Sequence, residues 1–500
     1  MKTRLLLAGA LMLTATAATA QTLRIGLVDD PDLLDPAPGK SFVGRIVFQS
    51  LCYKLVDVSP DLKIVPLLAM SWEATEDGKV ITFKLREGVT FHDGEKFDAA
   101  AVKYNIERDK TMPESIRKAE LASVDSVDVV DPLTVRFNLK KADASLLATL
   151  SDRAGMMVAP EAAKQAGAKF GLNPVCSGPY KFVDRVQQDH ITLARNPNYW
   201  NAKAFSFDKI VYRTIPDSTA RLASLRSGDL DIAERVEPTD VKEIEAQKEL
   251  KVVSVTSLGY QGLTVNVANG PASKVPVGQD KRVRQALSLA IDRQGVMDAV
   301  FDGQFTPAGQ AVPPVSPYYS DKFPPPQRDV TKAKALLKAA GVEHPVINVI
   351  YTSSSRIQRV AEVLQAMAGE AGIELKLIST EFATQIQEQT DGTFETSLIG
   401  WSGRPDPDGN IYSFYICGGG LNDGHYCNKD VDAILNDTRI TTDVAARRAL
   451  YEKFDAIALD ELPIIYLYFE KYIWGMTAKL QGFIAVPDGM IRLDGVKLAQ

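Results

Sequence analysis

The sequence predicts an α/β fold with more than one hydrophobic core. Two observations carry this. Between residues 332 and 378, segments with helical spacing alternate with strand-like apolar runs, the pattern of sheets built through helical crossovers. The chain has 500 residues, 45% apolar and 24% charged, which is globular composition and length enough for two or three domains.

Lys2 and Arg4 precede a short apolar run, 5–13, which ends in small residues and Ala18-Thr19-Ala20. This is the layout of a cleaved secretory signal peptide (1–20) rather than an ordinary buried helix, and the run is too short to span a membrane. Gln21, not Cys, follows the expected cut, so the expected product is not a lipoprotein but a protein released into a bacterial periplasm. Residues 23–27 alternate as a strand and lead into an acid- and proline-rich loop, 29–38, then a helix over 44–53. Strands at 80–85 and 134–139 flank the loop Phe91-His92-Asp93-Gly94 and a helix at 99–109, and further strands fall at 191–194 and 209–215. Residues 219–227 read as a helix started by Thr219 and stopped by Gly228. Residues 280–301 read as one long helix, with Val283, Leu287, Ala290 and Ile291 on its apolar face. After a proline-rich loop, 313–326, come a helix at 332–340 ended by Gly341, a strand at 346–351, a helix at 356–371, and strands at 373–378 and 396–400. There is no internal repeat.

A net charge of −6 argues against a nucleic-acid partner, which calls for a basic face. Four cysteines allow three pairings. Cys417 and Cys427 bracket a glycine-rich polar stretch, a surface loop whose closure contributes about 2–3 kcal/mol. Cys52 and Cys176 remain. Paired, they would staple two distant segments in an oxidising compartment; the alternative is two buried thiols. No C-x-x-C occurs and only four histidines are present, so neither a metal site nor a cofactor is expected. Phosphate-binding glycine loops, H-E-x-x-H and G-x-S-x-G are absent. No local constellation calls for catalysis, and the chain reads as a binder rather than an enzyme.

Seven separated segments resemble one family. They are 62–72 (LKIVPLLAMSW), 81–98 (ITFKLREGVTFHDGEKFD), 173–182 (NPVCSGPYKF), 196–200 (NPNYW), 220–231 (ARLASLRSGDLD), 283–292 (VRQALSLAID) and 400–414 (GWSGRPDPDGNIYSF). Together, and in order, they are similar to the extracytoplasmic solute-binding proteins of family 5, the peptide-, dipeptide- and nickel-binding receptors of ABC importers. The resemblance implies a two-lobed periplasmic-binding-protein fold, class II-like, with a hinge and an additional inserted subdomain. It divides the chain into lobe I (21–60, 172–268 and 470–500), an inserted subdomain (61–171) and lobe II (269–469). It also implies a Cys52–Cys176 bridge near the cleft. Relatives commonly carry Gly-Thr-Gly-Pro where this chain has Cys176-Ser177-Gly178-Pro179.

The ligand is expected at Trp401-Ser402-Gly403-Arg404-Pro405-Asp406-Pro407-Asp408, which follows an apolar strand and so lies at the usual ligand edge of an α/β sheet. Trp401 offers a flat wall, with Ser402 beside it. In dipeptide-binding relatives an Asp of the matching stretch receives the ligand's ammonium group, a role the resemblance carries to Asp406, with Asp408 as the alternative; Asp-Pro is also ordinary turn chemistry. Arg404 can take a carboxylate through its guanidinium fork or pair internally. Arg356, after Ser353-Ser354-Ser355, is a second cationic candidate, because the matching segment in relatives approaches the ligand's carboxylate end. Tyr260, Asn266, Tyr53 and Phe42 are candidate liners. The expected function is capture of a small peptide or other amino-group-bearing solute by a monomeric receptor that closes on it and presents it to a membrane permease. The alternatives are a nickel-chelate or haem receptor of the same family, using His425, and a periplasmic peptide or glycan hydrolase.

Overall fold

The computed structural model describes residues 21–499; the expected signal peptide lies outside them. Three sheets organise the chain. The first has seven strands in the order Leu250–Thr256, Lys471–Thr477, Ile232–Ala233, Thr22–Leu27, Lys209–Thr214, His190–Arg195 and Tyr180–Val186. Its central strand, Thr22–Leu27, runs parallel to Lys209–Thr214 and Ile232–Ala233. The second has six strands in the order Thr306–Pro307, Ile464–Phe469, Tyr260–Val265, Thr396–Trp401, Val346–Thr352 and Glu374–Thr380. We call the units around these sheets lobe I and lobe II. A four-stranded antiparallel sheet, built from Ala69–Ala74, Val80–Leu85, Thr134–Leu139 and Val124–Asp131, packs into the same apolar cluster as lobe I.

The alternating apolar pattern at 346–380 becomes two parallel strands, Val346–Thr352 and Glu374–Thr380, joined by the helix Ser355–Glu370. Gly228 and Gly341 end their helices in the left-handed conformation, which a residue without Cβ adopts at no steric cost. Two helix expectations need correction. The helix Ser218–Ser227 is capped not by Thr219 but by Asp217, whose carboxylate accepts from the Ala220 N–H. The expected helix at 280–301 is two helices, Lys281–Ala290 and Arg293–Phe301. Ile291 is extended, and the Asp292 carboxylate accepts from the Gly295 N–H to start the second helix, because an N-cap acid offers the backbone a competing partner.

The chain crosses between lobes I and II at 256–260 and again at 469–471, and the Ser257 N–H donates to the Glu470 carbonyl at 2.8 Å to tie the two crossings together. Gly259 sits in this hinge. A Cβ there would lie 1.9 Å from the Trp401 carbonyl oxygen, and one on Gly403 (φ 78°) would lie 2.3 Å from the Gly259 nitrogen. The hinge and the loop after Trp401 thus touch backbone to backbone.

Cys52 is bonded to Cys176 and Cys417 to Cys427. His92 braces the first bridge: its Nδ1 accepts from the Cys176 N–H at 3.2 Å, so Nε2 carries the proton offered to the Gly178 carbonyl at 3.0 Å. Burial draws its pKa down from 6.5 to about 4. Between those values the unfolded chain binds a proton that the folded chain refuses, so folding stability falls as pH is lowered through this window. Melting curves from pH 7 to 4 are expected to show this loss in the wild type and a shallower one in His92→Gln. Equal slopes would contradict the assignment.

Candidate functional site

The strand Thr396–Trp401 delivers Trp401 to the interlobe seam. Its indole N–H donates to Asn410 Oδ1 at 3.0 Å, and the same oxygen accepts from the Arg404 backbone N–H at 2.7 Å. Arg404 is thereby laid across the indole, its guanidinium carbon 4.7 Å from the ring centroid, and it donates to the Gly403 carbonyl at 2.7 Å and to Ser402 Oγ at 3.3 Å. From this position Nε of Arg404 reaches across to within 3.9 Å of Asp152 Oδ2.

Asp152 belongs to the other side of the seam. It caps a short helical turn, Arg153–Gly155, and accepts from Arg45 Nε at 3.1 Å, with Arg45 Nη2 at 2.9 Å from its second oxygen. Arg45 projects from the helix Phe42–Leu51, which Ser41 caps. Arg153 donates to the Gly39 carbonyl at 2.8 Å, and Arg117 to the same carbonyl at 3.4 Å and to Glu120. Arg45, Arg117 and Arg153 are all buried. Burial alone would raise the Asp152 pKa, but the surrounding guanidiniums of Arg45, Arg153 and Arg404 hold it well below the usual carboxylate range. Burial, together with the like charges of Arg117, Arg45 and Arg404, draws Arg153 down to about 9, against the pull of Asp152. Next to this cluster, Phe42 stacks on Tyr472 at 5.3 Å with Arg235 over both rings, and the Tyr472 hydroxyl donates to the Ser402 carbonyl at 3.4 Å.

Of the sequence-predicted residues, the structure brings Trp401, Ser402, Arg404 and Phe42 together at this seam. The others are placed differently. Asp406 is not a free anion awaiting an ammonium group: both its oxygens are bound by Arg447, at 2.5 and 2.7 Å, and Arg447 is buried. Asp408 is held in the same two-pronged way by Arg439, at 2.7 and 2.8 Å. Arg356 pairs at 2.8 Å with Glu237, an interlobe ion pair, while Ser354 is used as the cap of its helix. Asn266 is fully buried, donating to the carbonyls of Asn269, Gly392 and Phe394. It clamps a loop rather than lining a cleft. Tyr260 is buried edge-on to Tyr466 and Phe414, and Phe414 in turn backs Trp401 at 5.1 Å, so Tyr260 supports the wall from behind. Tyr53 packs edge-on against Tyr199 and lines a cavity of about 280 Å³ with Asp57, Trp200 and Arg492. His425 is exposed beside the Cys417–Cys427 bridge, and among the described residues no three His, Cys, Asp or Glu side chains converge as metal ligands. Sequence reading missed Arg45, Arg117, Asp152 and Arg153. The one available signal was Arg45, a charge set between Val43 and Ile46 on an otherwise apolar helix.

Two α/β lobes joined by paired crossing segments, with polar and aromatic groups facing each other across the seam, define a clamp for a small solute. The chain belongs to the bacterial extracellular solute-binding proteins, family 5, whose middle-region model matches residues 63–422. It is 29% identical over 480 residues to the glutathione-binding protein GsiB of Pectobacterium atrosepticum, covering 93% of this chain and 92% of that one. Among solved structures it is similar to the periplasmic binding protein AgaA of A. tumefaciens R10 in complex with agropinic acid (27% identity, TM-score 0.82, 96% of this chain and 99% of that one). It is also similar to DppA of Helicobacter pylori in complex with the peptide STSA (25% identity, TM-score 0.83, 96% and 98%). The protein is a solute-binding component of an ABC importer, and these relatives, all binding proteins, give the hydrolase alternative no support.

Asp406→Ala strands the buried Arg447 guanidinium and is expected to cost about 3–5 kcal/mol of folding stability, read by urea unfolding. A variant as stable as the wild type would return Asp406 to candidacy as a ligand group.

Proposed function

We propose that this protein captures a small amino-acid-derived solute, a short peptide or an amino-acid conjugate, between its lobes and releases it unaltered to a membrane permease. The observation that carries the reading is the opposition of Arg404, on its Trp401 platform, to Asp152 and Arg45 across the seam. Guanidinium forks suit carboxylates, and the indole suits an apolar or amide face. The names of similar proteins point the same way: glutathione, agropinic acid and a peptide are all amino-acid derivatives. In this reading the chain is exported with loss of residues 1–20, works as a periplasmic monomer without a nucleic-acid partner, and carries out no catalysis.

Mass spectrometry under native conditions, followed by denaturation, tests this on freshly purified mature protein. The expected result is one bound amino-acid-derived solute of fixed mass. If the protein purifies empty, a panel of peptides and amino-acid conjugates at about 100 times their dissociation constants should stabilise it by about 2.7 kcal/mol. A metal complex or haem in the native spectrum, or no stabilisation by any of the panel, would overturn the reading.

A further inference from the structure

The charges at the seam do not balance. Four guanidiniums, those of Arg45, Arg117, Arg153 and Arg404, gather around two carboxylates, Asp152 and Glu120. One further carboxyl lies beside Arg117, that of Asp109, but it is in no ion pair among the described residues, and burial pushes it well above the usual carboxylate range, so it is held neutral and adds no anion. The other neighbouring charged groups are matched among themselves. Arg221 and Arg235 face Glu234 and Glu470, Arg356 meets Glu237, and Arg492 with Lys54 meets Asp57 and Asp488. The paired Arg447–Asp406 and Arg439–Asp408 bridges are likewise closed upon themselves. Two buried N–H groups of the cluster, Nε of Arg117 and Nε of Arg153, have no acceptor among the described residues. Buried cations are stable only when paired and hydrogen-bonded, so a cluster with an excess of two positive charges and spare donors calls for an anion from outside the chain.

Taking the cleft reading above as its basis, we infer that the cargo is a net-anionic solute, an amino-acid conjugate whose carboxylates outnumber its ammonium groups, and that it supplies counter-charge that lets the lobes close. Arg404 is the only member of the cluster contributed by lobe II. Closing the hinge drives it toward three like charges, with Asp152 as their shared partner. A carboxylate placed between Arg404 and Arg153 turns that repulsion into two charge-assisted contacts. A zwitterionic dipeptide brings one carboxylate and one ammonium group and leaves the excess in place, whereas a solute with two carboxylates and one ammonium group carries net negative charge and reduces it. The cleft therefore selects by net charge as well as by shape.

Calorimetric titration of the mature protein with three probes tests this: alanyl-alanine, glutathione, and an N-carboxyethyl amino acid with two carboxylates. The anionic probes are expected to bind about a hundredfold more tightly than alanyl-alanine. Arg153→Gln and Arg404→Gln are each expected to lower that affinity about tenfold or more. Equal or tighter binding of alanyl-alanine would overturn the charge inference and leave the amino-acid-derived reading standing. Failure of all three probes would count against that reading instead, and the charge inference is then decided without ligand. By small-angle scattering, ligand-free wild type is expected to be open and Arg404→Glu, which puts a carboxylate opposite Arg45 and Arg153, to be more compact. If the wild type is already compact, or Arg404→Glu is as open, the inference fails.

Discussion

One carboxylate, that of Asp152, fixes the relation between the two halves of this molecule. It starts the turn that presents Arg153, fixes the Arg45 side chain, and is the anion toward which Arg404 reaches from lobe II. Desolvating a carboxylate and several guanidiniums is costly, and a buried charge is stable only where a close partner of opposite sign offsets it. Asp152 meets this condition fully. Its arginine neighbours do so only in part, and that inequality is the basis on which we propose the seam as a receptor for anions.

The mechanical parts follow from local chain chemistry. Two crossing segments, tied by the hydrogen bond from the Ser257 N–H to the Glu470 carbonyl, join the lobes between the ends of their sheets' strands. Gly259 and Gly403 bring the hinge and the loop after Trp401 into backbone contact. The buried pairs Asp406–Arg447 and Asp408–Arg439 hold that loop rigid from behind. In these pairs both oxygens of each acid are taken up by an arginine.

How much of this was legible in the sequence depends on how local each feature is. The parallel strands at 346–380, the glycine-stopped helices and the aromatic loop after Thr396–Trp401 are written in contiguous residues, and they fell where periodicity and turn chemistry put them. The break at Ile291 was hidden because apolar spacing continues through it while Asp292 restarts the helix. The pairings of Asp406 and Asn266 were hidden for a different reason. Their partners, Arg447 and the carbonyls near 392–394, lie far along the chain, and a side chain's availability is set by partners that spacing does not reveal. The arginine cluster was invisible for the same reason, since positions 45, 117, 153 and 404 meet only after four segments have folded together.

The central claim is that the cargo's negative charge sits between Arg404 and the lobe I arginines. A crystal structure of the protein with its co-purified or tightest-binding solute tests it most directly. The account predicts an anionic oxygen within hydrogen-bonding distance of both Arg404 and Arg153. A closed complex in which Arg404 still faces only Asp152, with the solute's carboxylates held elsewhere, would contradict it.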